Sequence, residues 1–206
     1  MSNQSVWEDW GADQMHPGGR ETTLRLLQKA GLAFGARVAE IGAGTGDGVD
    51  FLLKRGLDAV GVDISMELCA IARERGVQAL CADAGSLPFG NGELDGLLLE
   101  CTLSALPDAS AALKEFARVL KAGGALMVSD MRYQDAEQAK QVWKDMLSLS
   151  GFSLEFFEDC PGALEEFKGK WLWELAGTPM LRRLCETGCA DAKGYFIMVA
   201  HLKGGG

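Results

Sequence analysis

Residues 37–48 read RVAEIGAGTGDG, and the fold turns on them. Val38, Ala39 and Ile41 are the apolar positions of a short strand, interrupted by Glu40. A glycine loop follows, Gly42-Ala43-Gly44-Thr45-Gly46. A helical pattern starts at once with Val49, Phe51, Leu52 and Leu53, and closes on Lys54, Arg55 and Gly56. Strand, glycine turn, helix brings backbone N–H groups and the positive end of a helix against a ligand. Glycine suits the turn because it reaches positive φ and carries no Cβ to block close approach. A tight turn without a ligand is the plainer reading of the same residues.

The grammar repeats outward from there. A helix is expected over 21–30, stopped by Gly31. Downstream come a strand at 59–63, a helix at 66–75, strands at 77–82 and 95–100, and a helix at 110–120 stopped by Gly123-Gly124. A strand at 125–130, a helix at 136–150, a strand at 152–157 and a last strand at 195–202 complete it. The helix at 136–150 places Ala139, Val142, Trp143, Met146 and Leu147 on one stripe. Alternating strands and glycine-closed helices imply parallel strands joined by right-handed crossovers. Near-continuous apolar strands such as Leu97-Leu98-Leu99 suit a sheet covered on both faces. A chain of 206 residues fits a single domain, 1–206.

The formal net charge is −9 and no Lys/Arg run occurs, which disfavours a nucleic-acid partner. No segment approaches the roughly 20 apolar residues of a membrane helix. The first residues, MSNQSVWEDWGADQ, are too polar for a signal peptide. The expectation is a cytoplasmic protein with no membrane partner. Its six cysteines then call for a reduced explanation, and Cys69 and Cys81 read as buried core thiols.

The loop's ligand follows from its spacing. A dinucleotide fingerprint needs G-x-G-x-x-G. Gly42 and Gly44 fit it, but Asp47 takes the third place and Gly46 falls one position early. Glu40, two residues before Gly42, suits an ammonium group better than a pyrophosphate. The run E-I-G-A-G-T-G resembles motif I of the class I S-adenosylmethionine-dependent methyltransferases. The segment 87–100, with LPF, ELD and LLLE, and the segment RVLKAGGALMVSD at 118–130 resemble that family's later motifs. The pattern is that of small bacterial-type members, including the arsenite methyltransferases. The resemblance is strong over 37–130 and looser in the leader and last strand. It implies S-adenosylmethionine as cofactor and a small-molecule methyl acceptor. The implied fold is a Rossmann-like, doubly wound, seven-stranded, mostly parallel sheet with an antiparallel last strand. On that basis 1–36 is leader and first helix, 37–157 the cofactor-binding core, 158–194 a helical insertion, and 195–206 the last strand and tail. The oligomeric state is not legible.

In such a sheet, ligands bind beyond the carboxyl ends of the strands. The loop contributes Glu40, Gly42, Ala43 and Gly44. The second strand ends in Asp63-Ile64, where Asp63 can accept from ribose hydroxyls; helix capping is its other reading, though Ser65 already fills that role. The third ends in Asp83-Ala84, where Asp83 can accept from an adenine amino group and the Ala84 N–H can face a ring nitrogen. A simple turn is the alternative there. The fourth ends in Glu100.

The methyl group of such a cofactor is already activated, so positioning is the protein's main task. If the acceptor needs a general base, the candidates are Glu100, Asp130, His16 and Tyr133. Trp7 and Trp10 read as anchors for the leader. About 37 residues, 158–194, precede the last strand. There Leu164, Phe167, Trp171 and Leu175 form one apolar stripe, and Met180, Leu181 and Leu184 belong to a second. Trp171 or Trp173 either packs the insertion down or lines a substrate pocket. No metal site is expected, although Cys160, Cys185 and Cys189 could offer thiolates to a soft metal or metalloid. Two rival readings stand beside the methyltransferase. One is a nicotinamide-dependent oxidoreductase, the other a cofactor-binding regulatory or assembly protein without turnover.

Overall fold

The computed structural model describes residues 16–174 and 191–204, with only the backbone described over 170–174. Among the described residues seven strands alternate with six helices: β1 (Arg37–Ile41), β2 (Asp58–Asp63), β3 (Ala79–Cys81), β4 (Leu94–Glu100), β5 (Leu120–Arg132), β6 (Phe152–Asp159) and β7 (Gly194–Leu202). The helices are α1 (Gly19–Ala30), α2 (Asp47–Lys54), α3 (Met66–Glu74), α4 (Ala109–Val119), α5 (Ala136–Leu149) and α6 (Pro161–Glu174). The strands form one sheet in the order β3-β2-β1-β4-β5-β7-β6. β1 pairs in parallel with β2 and β4, and β7 runs antiparallel to both β5 and β6. This is the α/β architecture expected from the sequence, with its antiparallel last strand.

Strand alternation feeds two cores. Ala39, Ile41, Val60, Val62, Leu97, Leu99, Leu126, Val128, Phe196 and Met198 meet Leu113 and Phe116 of α4 and Leu147 of α5 on one face. Val38, Ala59, Leu98, Met127, Tyr195, Ile197 and Val199 meet Leu26 of α1, Val49 and Leu52 of α2, Cys69 of α3 and Leu164 of α6 on the other. Both faces are covered, so the strands can be apolar without alternation.

Some local expectations are corrected. The third strand is shorter than expected, because the Val77 N–H returns to the Ala72 carbonyl and extends the helix exit. Cys81 is exposed rather than buried, since β3 is an edge strand; Cys69 is buried. α4 ends at Val119, within one residue of the expected end, but Gly123-Gly124 do not stop it: Leu120 is already extended (φ −77, ψ 142) and pairs with Leu94 before the ladder shifts register to Gly96 and Ala125. In α5, Ala139 and Leu147 are buried, Trp143 and Met146 pack at the core margin, and Val142 lies open to solvent. Ser65 caps α3 by accepting from the Leu68 N–H at 3.3 Å, as its position suggested. Trp7, Trp10, Leu175, Met180, Leu181, Leu184, Cys185 and Cys189, with the side chains of Trp171 and Trp173, lie outside the described residues. Among the described residues no helix is long and apolar enough to cross a membrane.

Phe116 is fully buried between α4 and the sheet. Phe116→Ala is expected to lower unfolding stability by about 3–5 kcal/mol, the cost of lost transfer energy plus a cavity. Urea denaturation followed by circular dichroism measures it, and a loss below about 1 kcal/mol would contradict this account of the core.

Candidate functional site

The strand order reverses between β1 and β4, and the crevice at such a point is where open α/β sheets bind ligands. The glycine loop leaves β1 and folds over the end of β2, with the Gly42 and Ala43 N–H groups both donating to the Val62 carbonyl at 2.8 and 3.1 Å. Gly42 has φ +76, and a Cβ there would strike Thr102 at 2.4 Å, so only glycine lets β1 and the β4 exit approach this closely. Gly44 has φ +53, and the space over it is open. Its N–H donates to Asp63 at 2.9 Å, and the other Asp63 oxygen accepts from the Ser65 N–H at 2.9 Å. The second strand's acid therefore ties the glycine loop to its own rim.

Glu40 sits beneath this loop, 6 % exposed, and its Oε2 has no hydrogen-bond partner. Its carboxylate fills the place where Gly48 lacks a side chain; a Cβ there would lie 2.2 Å from Oε1. Burial, then the negative charges of Glu100 and Asp47, push the Glu40 carboxyl well above the ordinary range. An uncompensated buried acid facing a cleft is expensive unless a cation arrives to pair it.

Glu100, at the end of β4, lies on the same side of the sheet and is already satisfied. Thr23 Oγ1 donates to its Oε1 at 2.7 Å, and His16 Nε2 lies 3.1 Å from its Oε2. His16 Nδ1 is 3.2 Å from the Pro17 carbonyl and 3.4 Å from the Tyr195 hydroxyl. Both ring nitrogens therefore face acceptors. Burial pulls the His16 pKa down, but the charge and hydrogen bond of Glu100 and the Pro17 carbonyl outweigh it, and the net shift is upward. Burial, with the charges of Cys101 and Glu100, raises Tyr195 well above a free phenol, so it stays protonated. Between Glu100 and Thr102 the chain passes through Cys101 at φ +52, the one non-glycine residue with positive φ among those described. Such strain costs about 1 kcal/mol or more and gathers at sites where a side chain must be aimed.

Two cavities share this wall. One, of about 130 Å³, is lined by Glu40, Gly42, Ala43, Gly44, Thr45, Glu100, Phe51, Arg20, Thr23 and His16, among others. The other, of about 380 Å³, opens between the start of α1 and the start of α6; His16, Gly18, Glu21, Arg25, Glu158, Cys160 and Gly162 are part of its lining. Among the described residues His16 alone belongs to both.

The structure brings Glu40, Gly42, Ala43, Gly44, Glu100 and His16 together around the smaller cavity. Asp63, Ile64, Asp83 and Ala84 line the same carboxyl rim one and two strands away, since Asp63 pairs with Cys81 and accepts from the Ala82 N–H at 3.0 Å through its carbonyl. Ile64 is 73 % exposed, an apolar face left bare beside that rim. Asp83 accepts from the Gly85 N–H at 2.7 Å, so it does form a turn, but a carboxylate keeps further lone pairs.

Asp130 does not join the site. Strand alternation turns it to the opposite face from Glu100 and Tyr195, where it is 1 % exposed and accepts from Ser104 N–H, Ser104 Oγ and Met131 N–H. It anchors the loop after β4. Tyr133 lies past the end of β5, 39 % exposed, and lines neither cavity. Sequence reading missed Thr23, Arg20 and Tyr195. The paired Thr22-Thr23 on a buried helix face and a tyrosine opening the last strand were the available signals. Cys160 borders the larger cavity, where burial and Glu158 raise its thiol. Among the described residues no group of three His, Cys, Asp or Glu is arranged to hold a metal ion.

The arrangement fits S-adenosylmethionine on the chain's own terms. A buried acid with one unpaired oxygen could meet an ammonium or sulfonium, open space lies over Gly44, and two rim acids and an exposed apolar side chain lie where an adenosine would extend.

Residues 39–128 match the family described as methyltransferase domain. The chain is 33 % identical over 128 residues to a demethylmenaquinone methyltransferase of Corynebacterium urealyticum, covering 62 % of this chain and 54 % of that protein. It thus spans about half the length of the curated relatives it matches. Among solved structures, the cyclase SpnF superposes with a TM-score of 0.74 at 25 % identity, over 95 % of this chain and 86 % of that one. The phosphoethanolamine N-methyltransferase 2 of Haemonchus contortus, crystallised with S-adenosyl-L-methionine, superposes at 0.74 and 18 % identity, over 94 % of this chain and 55 % of that one. Sheet order, glycine loop and these matches converge on one similarity: residues 39–128 resemble a methyltransferase domain, carried on a seven-stranded Rossmann-like sheet with an antiparallel last strand.

Proposed function

We propose that this protein transfers the methyl group of S-adenosylmethionine to a small-molecule acceptor, acting as one catalytic domain in the cytoplasm. The observation that carries the reading is the unpaired Oε2 of the buried Glu40 carboxylate under the glycine loop at the strand-order switch. When bound, the cofactor supplies a methyl group already activated on a positively charged sulfur. The chain binds and orients. Glu40 pairs the methionyl ammonium, while Gly42, Ala43 and Gly44 leave room for the methionyl backbone. Asp63 holds the ribose hydroxyls, Ile64 covers one adenine face, and Asp83 with the Ala84 N–H reads the adenine edge. Glu100 and His16 close the methyl end.

The oxidoreductase reading gains nothing from the site. Asp47, in the place of a third glycine, is bound to Arg75 by two hydrogen bonds of 2.9 and 2.5 Å and belongs to the first turn of α2. The cyclase among the structural relatives makes turnover a separate question from binding.

Calorimetry with S-adenosylhomocysteine and with NADH tests the cofactor. The expected outcome is binding of S-adenosylhomocysteine alone, and tight binding of NADH alone would overturn the reading. Binding without methyl transfer to any oxygen, nitrogen, sulfur or carbon acceptor would favour a non-catalytic or non-methylating protein instead. Asp63→Ala is expected to weaken S-adenosylhomocysteine binding by about 1–3 kcal/mol, the worth of charge-assisted hydrogen bonds left unmade. An unchanged dissociation constant would remove Asp63 from the site.

Glu40→Gln separates stability from function. Free glutamate titrates near 4.5 and buried Glu40 well above it, so the unfolded chain releases this proton first as pH rises. Wild type should therefore lose stability relative to the variant from about pH 4.5 upward, reaching about 1–3 kcal/mol by pH 8. The same variant should bind S-adenosylhomocysteine at least about tenfold more weakly, or about 1.4 kcal/mol. Thermal denaturation across pH 5–8 and calorimetry measure both, and full affinity in the variant would exclude Glu40 as the ammonium's partner.

A further inference from the structure

We propose that the 380 Å³ cavity between the start of α1 and the start of α6 is the methyl-acceptor site, and that it takes a small polar amine. This rests on the cofactor reading above. Three features carry it: the shared wall, the polarity of the lining, and its charge.

His16 is the shared wall. An acceptor in the larger cavity and a cofactor over Gly44 and Glu40 would meet at this side chain. Proximity across one residue is what a methyl transfer between two bound molecules requires. The volume is that of a metabolite site.

The lining is polar. Its described side chains are mainly His16, Thr22, carboxylates and Arg25, with Phe167 and Ala163 as the apolar patches and glycine backbone at Gly18, Gly19 and Gly162. Among the described lining residues there is no continuous apolar wall for a long isoprenoid chain, which favours a small polar acceptor over a polyprenyl quinone. Glu158 is paired to Arg25 and neutralises it. Glu21, in the first turn of α1, also lines this space. Among the described lining residues the carboxylates Glu21, Glu158 and Glu166 outnumber the guanidinium of Arg25, a balance that favours an ammonium over a carboxylate or phosphate.

An ammonium must lose one proton before its lone pair can attack. That proton leaves to water in the open cavity, while His16, whose two ring nitrogens are already directed at Glu100 and the Pro17 carbonyl, positions the amine instead of taking the proton. The freed nitrogen lone pair forms the new N–C bond. The S–C bond breaks, its electron pair stays on sulfur as a neutral thioether, and the product is a methylated ammonium.

Gly162 offers a clean test. It lies on this cavity, remote from the glycine loop, with nothing within 4 Å of an added Cβ and no positive φ, so Gly162→Leu can fill the space without disturbing α6. Radiolabelled methyl transfer is measured for wild type and Gly162→Leu with small primary and secondary amines, with small alcohols and thiols, and with a demethylated isoprenoid quinone. S-adenosylhomocysteine affinity is measured on the same preparations. Transfer to amines that falls at least tenfold in kcat/KM in the variant, with cofactor affinity unchanged within twofold, is the expected result. Transfer only to quinone, alcohol or thiol, no transfer to any amine by protein that binds S-adenosylhomocysteine, or amine transfer untouched by Gly162→Leu would each overturn the proposal. Wild-type protein that ignores S-adenosylhomocysteine would overturn the cofactor reading, and this one with it.

Discussion

A buried carboxylate with one oxygen unpaired organises this molecule. Three acids crowd the crevice between β1 and β4, and two have their own cations: Asp47 is held by Arg75, and Glu100 by His16. Glu40 has none, and the bare backbone of Gly48 lets it sit deep. A fold tolerates such a group only if something else gains from it. On the proposed reading the gain is a receptor for the cofactor's cation, built on a strand end and roofed by the glycine loop.

Sheet parity then sorts the remaining polar residues. Glu40, Glu100 and Tyr195 point to the face covered by α1, α2 and α6, while Asp130 points to the face covered by α4 and α5. α1 completes the first face, since Thr23 reaches Glu100 and Arg20 lies 4.9 Å over the Phe51 ring. The leader and the insertion thus build the part of the site that the sheet does not.

The division has a counterpart in the similarities. The family match ends at residue 128 and begins at 39, so it holds the cofactor side of the crevice and omits His16 and α6. A cyclase and a phosphoethanolamine methyltransferase share the same framework at equal TM-score. In the proposed reading the sheet edge holds the cofactor, and what is laid over it selects the acceptor.

From the order of its residues alone this chain announces strands, helices and glycine turns, because hydrophobic period and backbone permissiveness are local properties. Glu40, the glycines, Asp63 and Asp83 were legible for the same reason: each sits at a strand end that a short window defines. Three-dimensional packing decided the rest. That His16 and Tyr195, at opposite ends of the chain, lie 3.4 Å apart, that Asp130 faces away, and that Cys81 reaches solvent all depend on which element covers which face. Such contacts arise from long-range burial and sheet order, and no local window of sequence contains them.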